Sequence, residues 1–516
     1  MSRQVETQPN PPGLTSAAAW RALLVLAGAL TVLRLAALFL TPLELYPDEA
    51  QYWLWSRTLD WGYVSKPPMI AWLIAATTWI GGDGEPWVRL AAPLIHAGAM
   101  LALFPVGRRL YGPTVGLVAA ALYGLMPAVQ VSALFIATDA PLMLFLALAL
   151  WAYVAFLQTV RSRDRARMAA GVGLCIGLAF LAKQAAIYFL LGVALHMLID
   201  PSARRVWRGW AWVAALAALA LALAPNLAWQ ATHGFATFAH TAQVNAGWDP
   251  GQLFHPGKLA EFLIGQLGVM GPIPFAVLLI GSVALARRKT LASPDRMLLC
   301  FALPPLVLVS IQALISHAHA HWAAAGYLAG VVLVAAWLER WRARGWSIAA
   351  VATQGAVAAL LLLAVCLPSI VDSAGFGRRL ARQRGWSQTA VIVTGAASAS
   401  RPTAVAVEDR YLFNELAYYG RGYFNDAGAA PLRMRPAPVQ ALNEAELSAP
   451  LQPAETGRVL IAETAGLPTS PRLPGDFSTI QPLAGRTIAL GGRKTRQVQL
   501  WLGTGYRVPT TAYPSP

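Results

Sequence analysis

Apolar runs of about 20 residues, the length that crosses roughly 30 Å of hydrocarbon as an α-helix, recur along this chain of 516 residues. The first extends from Trp20 to Leu40, and others centre near residues 98, 123, 148, 176, 192, 218, 272, 306, 330 and 356, eleven in all. One such run can hide in a water-soluble core. Eleven cannot, because with 57% hydrophobic and 12% charged residues too little polar surface exists to cover them. The expectation is an all-α polytopic membrane protein of about eleven transmembrane helices. The residues before Trp20 are polar and contain prolines without an apolar h-region, so the first run reads as an uncleaved signal anchor.

Charge tests the count, because basic loops should alternate with poorly basic ones if no crossing is missed or invented. Arg108 and Arg109; Arg161, Arg163, Arg165 and Arg167; Arg204, Arg205 and Arg208; Arg287, Arg288 and Lys289; and Arg340, Arg342 and Arg344 all fall on the side of the N-terminus. Most of the +16 net charge lies in these short runs, which argues for cytoplasmic loops and against nucleic-acid binding. Residues 41–90, 131–138, the turn at Lys183, 227–258 and 316–321 then face outward, as does everything after about Leu367. The fifth and sixth crossings are separated only by the Lys183 turn, and an error of one helix there would invert everything downstream. Cys175, Cys300 and Cys366 lie inside apolar segments, which leaves no disulfide framework and no cysteine-based zinc site.

Three regions follow: a cytoplasmic tail over 1–19, a transmembrane domain over 20–366 with its first outer loop at 41–90, and an extracytoplasmic soluble domain over 367–516. The last has no stretch long enough to span. Thr403 to Val407, Arg458 to Ala462, Thr487 to Leu490 and Gln497 to Leu502 read as short strands and Arg410 to Tyr419 as a helix, giving a small α/β unit. Pro431 to Pro453 reads as irregular.

Ionisable groups at membrane depth are costly unless paired or functional, and here they gather on the outer side. Pro47 at a first helical position puts Asp48 and Glu49 in the opening turn of a short helix, where the dipole favours acids whether or not they do chemistry. The same loop holds Ser65-Lys66-Pro67-Pro68 and then Met69 to Ile80, an apolar run too short to span that suits an interfacial or re-entrant helix. Asp139 opens the fourth crossing and Lys183 lies in an apolar turn, both outward. Carboxylates and lysines converging beside a membrane suit displacement of a phosphate leaving group by a hydroxyl: an acid takes the proton, and ammoniums offset the charge on the departing phosphate. Trp53, Trp55, Trp61 and Tyr63 would let a lipid-borne substrate enter sideways, or form an aromatic belt at the headgroups.

Asp48-Glu49, the Asp-Trp-Gly-Tyr element at 60–63, Lys66-Pro67-Pro68, Gly82-Asp83 with Arg89-Leu90, and Thr138-Asp139-Ala140-Pro141 together resemble family 39 glycosyltransferases of the GT-C class. These are related to protein O-mannosyltransferases, aminoarabinose transferases and rhizobial lipopolysaccharide galacturonosyltransferases. The likeness runs from about residue 20 to 340; Pro225-Asn226, His233-Gly234-Phe235 and His319 to Tyr327 look like later elements of bacterial members, and Asp409 to Gly422 resembles their tail. The resemblance implies a GT-C-like fold, a polyprenyl-phosphate sugar donor, a cell-envelope acceptor (lipid A, core glycan, another lipid or a protein hydroxyl), inversion at the anomeric carbon, and action on the outer face of the bacterial cytoplasmic membrane. It casts Asp48 as general base, Glu49 as a supporting or helix-capping acid, Asp139 as the second acid, and Lys66 and Lys183 as donor-phosphate ligands. Tyr52, Arg89, His233 and His319 would line the acceptor path or cavity.

The chain departs from the aminoarabinose transferases at Ser65, where they carry an acid before the Lys-Pro pair. No cofactor is certain from the sequence, and a divalent metal is possible but doubtful: His317, His319 and His321 alternate in an outer loop and could in principle ligate zinc. Lys183 has a second reading as a snorkelling helix-end lysine, and Arg34 either snorkels outward or pairs with the acids. The competing function is a transporter or flippase for lipid-linked intermediates. Transporters, however, place ionisable groups near mid-membrane at broken helices, whereas these concentrate in outer loops.

Overall fold

The computed structural model describes residues 14–241, 251, 253–286, 292–436, 441, 443–455, 457–465, 473–492 and 494–508. Among the described residues eight helices are long and apolar enough to cross a membrane: α1 (Ser16–Leu40), then Glu85–Tyr111, Asp139–Gln158, Ser162–Ala182, Trp210–Thr232, Ser293–Ile315, Ala320–Arg340 and Arg344–Cys366. Two further expected crossings are bent pairs, Pro113–Leu125 with Pro127–Leu134 at 55° and Pro256–Val269 with Pro272–Ala286 at 117°, which brings the count to 10. Both breaks precede a proline, whose ring disfavours helical backbone in the preceding residue. Met126 is accordingly extended in ψ at 131°, and Gly271 takes a positive φ of 95°. The eleventh expected crossing, near residue 192, is the apolar segment Gln184–Ile199, shorter than a full span.

The ion pairs test the alternation of loops. Asp200, just past that short segment, binds Arg296 at 2.5 Å, and Asp295 binds Arg340 at 2.6 Å and accepts from Tyr111 at 2.6 Å. Loops expected on the basic side thus meet at one end of the bundle. Arg287, Arg288 and Lys289 lie outside the described residues. Arg34 neither snorkels nor meets the acids: it is fully buried and donates to the Gly124 carbonyl and to Gln130 Oε1. The break at Met126 frees that carbonyl, and a guanidinium satisfies it where water is absent.

Past Cys366 the chain forms a five-stranded sheet of order β2-β1-β3-β5-β4, from β1 (Ala404–Val407), β2 (Leu432–Met434), β3 (Val459–Ala465), β4 (Phe477–Ala489) and β5 (Thr495–Tyr506). β1 is parallel to β2 and β3, while β3, β5 and β4 pair antiparallel. Val405 and Val407 pack under Trp386–Ser400 and Arg410–Tyr419, and Ala404 and Ala406 face Leu451, Ile461 and Phe477. β1 is therefore covered on both faces, which its unbroken apolar sequence suits. The stretch expected to be irregular, Pro431 to Pro453, instead contributes β2 and the helix Glu444–Ser448.

This C-terminal domain, termed the outer domain for the side on which it is expected, is bolted to the loop over 41–90. Glu44 accepts from the N–H groups of Trp386 and Ser387 at the start of Trp386–Ser400, where the dipole favours an acid. Tyr419 Oη accepts from Leu45 N at 2.7 Å and donates to Glu85, Tyr418 Oη donates to the Asp83 carbonyl at 2.6 Å, and Glu444 accepts from Val64 N at 3.1 Å.

Candidate active site

The helix α2 (Pro47–Trp55) begins as its sequence requires, with Tyr46 extended and Pro47 at the first position. Glu49, one turn in, accepts from Tyr46 N at 2.9 Å and turns inward. There it binds Arg89 at 2.8 Å and accepts from Ile136 N at 2.9 Å, leaving it 2% exposed. Asp48, its neighbour, turns outward with 40% of its side chain exposed. Of the two acids one is thus committed to holding α2 against the loop before Asp139, and the other is free.

Lys66 is carried by aromatic scaffolding. Tyr63 stacks on Trp55 at 4.6 Å, and Tyr52 packs on the same indole at 5.4 Å. Tyr63 Oη donates to the Trp55 and Thr58 carbonyls, and Tyr63 N donates to the Lys66 carbonyl at 3.1 Å. The Asp-Trp-Gly-Tyr element is gripped from outside: Trp229 Nε1 donates to Asp60 at 2.8 Å and Asn226 Nδ2 to the Trp61 carbonyl at 2.6 Å. A Cβ on Gly62 would lie 2.4 Å from the Trp229 ring, so only glycine permits this approach.

Asp139 and Lys183 meet at 2.8 Å, each about one-fifth to one-quarter exposed. Lys183 occupies an extended break, φ −161° and ψ 139°, between Ser162–Ala182 and the following 3-10 turn, which turns its ammonium toward the start of Asp139–Gln158. Lys66 feels the charges of Lys183, Asp48, Asp139 and Arg410, and its own affinity for a proton is lowered, first by burial and then by Lys183. Burial, and then Asp48 and Asp139, hold the Tyr52 phenol well above its ordinary range, so it is a neutral donor. Two residues join that sequence reasoning did not place here. Arg410, from the outer domain, stands 4.0 Å from Asp48, and His321 lies within electrostatic reach of Asp139, Lys183 and Lys66. The likeness of Asp409 to Gly422 to a family tail was the signal for Arg410. Three basic side chains and two carboxylates therefore form one cluster, an arrangement whose excess positive charge attracts an anion.

Comparison with known proteins agrees. Residues 65–229 match the dolichyl-phosphate-mannose-protein mannosyltransferase family. The lipid A galacturonosyltransferase RgtD of Rhizobium johnstonii is 37% identical over 309 residues, 60% of this chain and 63% of that protein, so the match spans somewhat less than two thirds of the relative. Two crystal structures of ArnT from Cupriavidus metallidurans superpose over 97% of this chain and 100% of theirs, the apo state with a TM-score of 0.62 at 16% identity and the undecaprenyl-phosphate complex with 0.60 at 18%. The chain thus shares the fold of these ArnT structures, and over residues 65–229 it matches the mannosyltransferase family model. The family match contains Lys66, Asp139 and Lys183; Asp48 and Arg410 lie outside it.

Several expected residues lie elsewhere. Arg89 does not face a cavity: it is 1% exposed, and besides Glu49 it donates to the Leu43 and Glu44 carbonyls. His233 stacks on Trp229 at 4.1 Å, behind the loop that carries Lys66. His319 is exposed and stacks on His321 at 5.7 Å; it senses Lys183 from the cluster's edge, and burial and then His317 lower its proton affinity. Among the described residues no group of three His, Cys, Asp or Glu is disposed to hold an ion.

Proposed function

We propose that this chain transfers a sugar acid from a polyprenyl-phosphate donor to a hydroxyl of an envelope lipid of the lipid A type, at the outer face of the bacterial cytoplasmic membrane. The observation that carries the reading is the convergence of Asp48, Lys66, Asp139, Lys183 and Arg410 into one cluster at the end of the bundle opposite the arginine-rich loops. The name of RgtD supports the sugar class and the acceptor, and the undecaprenyl phosphate bound by ArnT supports the donor lipid.

Lys66 and Lys183 hold the donor phosphate, with Asp139 fixing Lys183. The acceptor hydroxyl, beside Asp48, attacks the anomeric carbon on the face opposite the phosphate. As the new C–O bond forms, the bond to the phosphate oxygen breaks, the hydroxyl proton passes to Asp48, and polyprenyl phosphate leaves with its extra charge beside the two ammoniums. A single displacement of this kind inverts the anomeric carbon. Tyr52 donates toward the same cluster, and Glu49 positions the base by fixing the start of α2. Residues 20–366 supply the transmembrane catalytic domain, and 367–516 cover it from outside.

The test compares lipid and glycan mass spectra from cells carrying the intact gene, a deletion, and Asp48→Asn. Asp48→Asn should insert normally, accumulate the lipid-linked donor and lose one uronic acid on lipid A. Identical glycans in all three strains, or wild-type turnover by Asp48→Asn, would discard the reading.

A further inference from the structure

Arg410 belongs to the outer domain, yet it stands at the proposed base. Its separation from Asp48 Oδ1, 4.0 Å, is too long for a hydrogen bond, so the pair attracts without being locked. Among the described residues its one side-chain hydrogen bond is from Nη2 to Tyr411 Oη at 3.0 Å, and the guanidinium carbon lies 4.7 Å from the Tyr411 ring centre. The neighbouring tyrosine thus steadies the guanidinium and leaves most of its five N–H donors unspent. At 32% side-chain exposure the group is accessible to a ligand.

The position restricts what that ligand is. A lipid-linked donor enters with its tail in the bilayer, so its phosphate lies at the membrane side of the cluster and its sugar projects outward. Lys66 and Lys183 come from the membrane domain and suit the phosphate. Arg410 comes from above, on Arg410–Tyr419, and suits the sugar. A planar fork of donors matches a carboxylate in bidentate fashion, which a neutral hydroxymethyl group cannot do. When Asp48 takes up the acceptor's proton, Arg410 also loses the charge of the carboxylate it stands beside. A carboxylate on the sugar replaces it.

Resting on the transferase reading above, we infer that Arg410 is the residue by which the outer domain selects a donor sugar bearing a carboxylate. The test uses the full-length protein in nanodiscs with lipid A as acceptor. Two polyprenyl-phosphate donors of matched stereochemistry are compared, a uronic acid and the corresponding neutral hexose. The wild type should favour the acidic donor, and Arg410→Gln should lower the ratio of kcat/KM values, acidic over neutral, by about 10- to 100-fold, as expected for loss of a charge-assisted hydrogen-bond pair. Arg410→Lys should fall between. Donor binding measured by tryptophan fluorescence without acceptor should show the same loss of preference.

An unchanged ratio with both donors slowed alike would make Arg410 a positioning residue for Asp48 and overturn the inference, while leaving the transferase reading intact. A raised acceptor KM with donor preference retained would assign it to the acceptor and overturn it equally. Failure of the wild type to transfer either sugar would remove the transferase reading itself.

Discussion

Glu49 and Arg89, 40 residues apart in the chain, form an ion pair of 2.8 Å in which the side chains are 3% and 1% exposed. Because Glu49 also accepts from Tyr46 N and Ile136 N, the pair ties the start of α2 to the segment leading into Asp139. Removing one partner of such a pair strands a buried charge, which costs about 3–5 kcal/mol. Glu49→Ala and Arg89→Ala should therefore melt well below wild type and lose activity, whereas Asp48→Asn should lose activity at an unchanged melting temperature. Wild-type melting of Glu49→Ala would refute the anchoring role.

Lys66 must be protonated to hold a phosphate, and its proton affinity is reduced by burial and by Lys183. Donor affinity should accordingly weaken on the alkaline side sooner than an ordinary lysine would dictate, and strengthen as pH falls. Lys66→Arg, which stays charged, should flatten that dependence and retain more activity than Lys66→Ala. Donor titrations across pH check this, and equal activity of the two variants would discard the role.

Gly62 carries no chemistry, yet a Cβ there would collide with the Trp229 ring at 2.4 Å. Gly62→Ala should displace the loop bearing Lys66, at about 1–3 kcal/mol for overpacking. Donor KM should rise although every charged residue remains. A variant kinetically identical to wild type would show that the grip of Trp229 on the loop is dispensable.

Glu415, on the helix Arg410–Tyr419, is 1% exposed, and among the described residues neither carboxylate oxygen has a hydrogen-bond partner. Burial, and then Glu44, push its proton affinity well up, against the opposing effect of Arg496, while Glu49 and Glu85 add to the upward shift. A carboxyl whose folded-state value is raised stabilises the fold while protonated and loses that contribution as pH rises through the raised value. Docking of the outer domain should weaken toward alkaline pH, and Glu415→Gln, a neutral isostere, should remove that part of the dependence. Parallel pH–melting curves for wild type and Glu415→Gln would contradict the assignment.

The sequence by itself determined what depends on neighbours along the chain. Apolar runs fixed the membrane helices, Pro47 fixed the start of α2, and the apolar character of Thr403 to Val407 marked β1. It also named Asp48, Lys66, Asp139 and Lys183, because charges beside apolar runs are conspicuous. Only the tertiary structure decided which charges are spent. Asp48 and Glu49 are adjacent and chemically alike, but Arg89 and the Ile136 amide consume one and leave the other open. The bends at Met126 and Gly271, the docking of the outer domain, and the arrival of Arg410 at Asp48 across 362 residues also lie beyond any local pattern. Burial and pairing arise from segments distant in sequence, and those contacts, rather than residue type, set whether a carboxylate is buried as a bolt or left exposed.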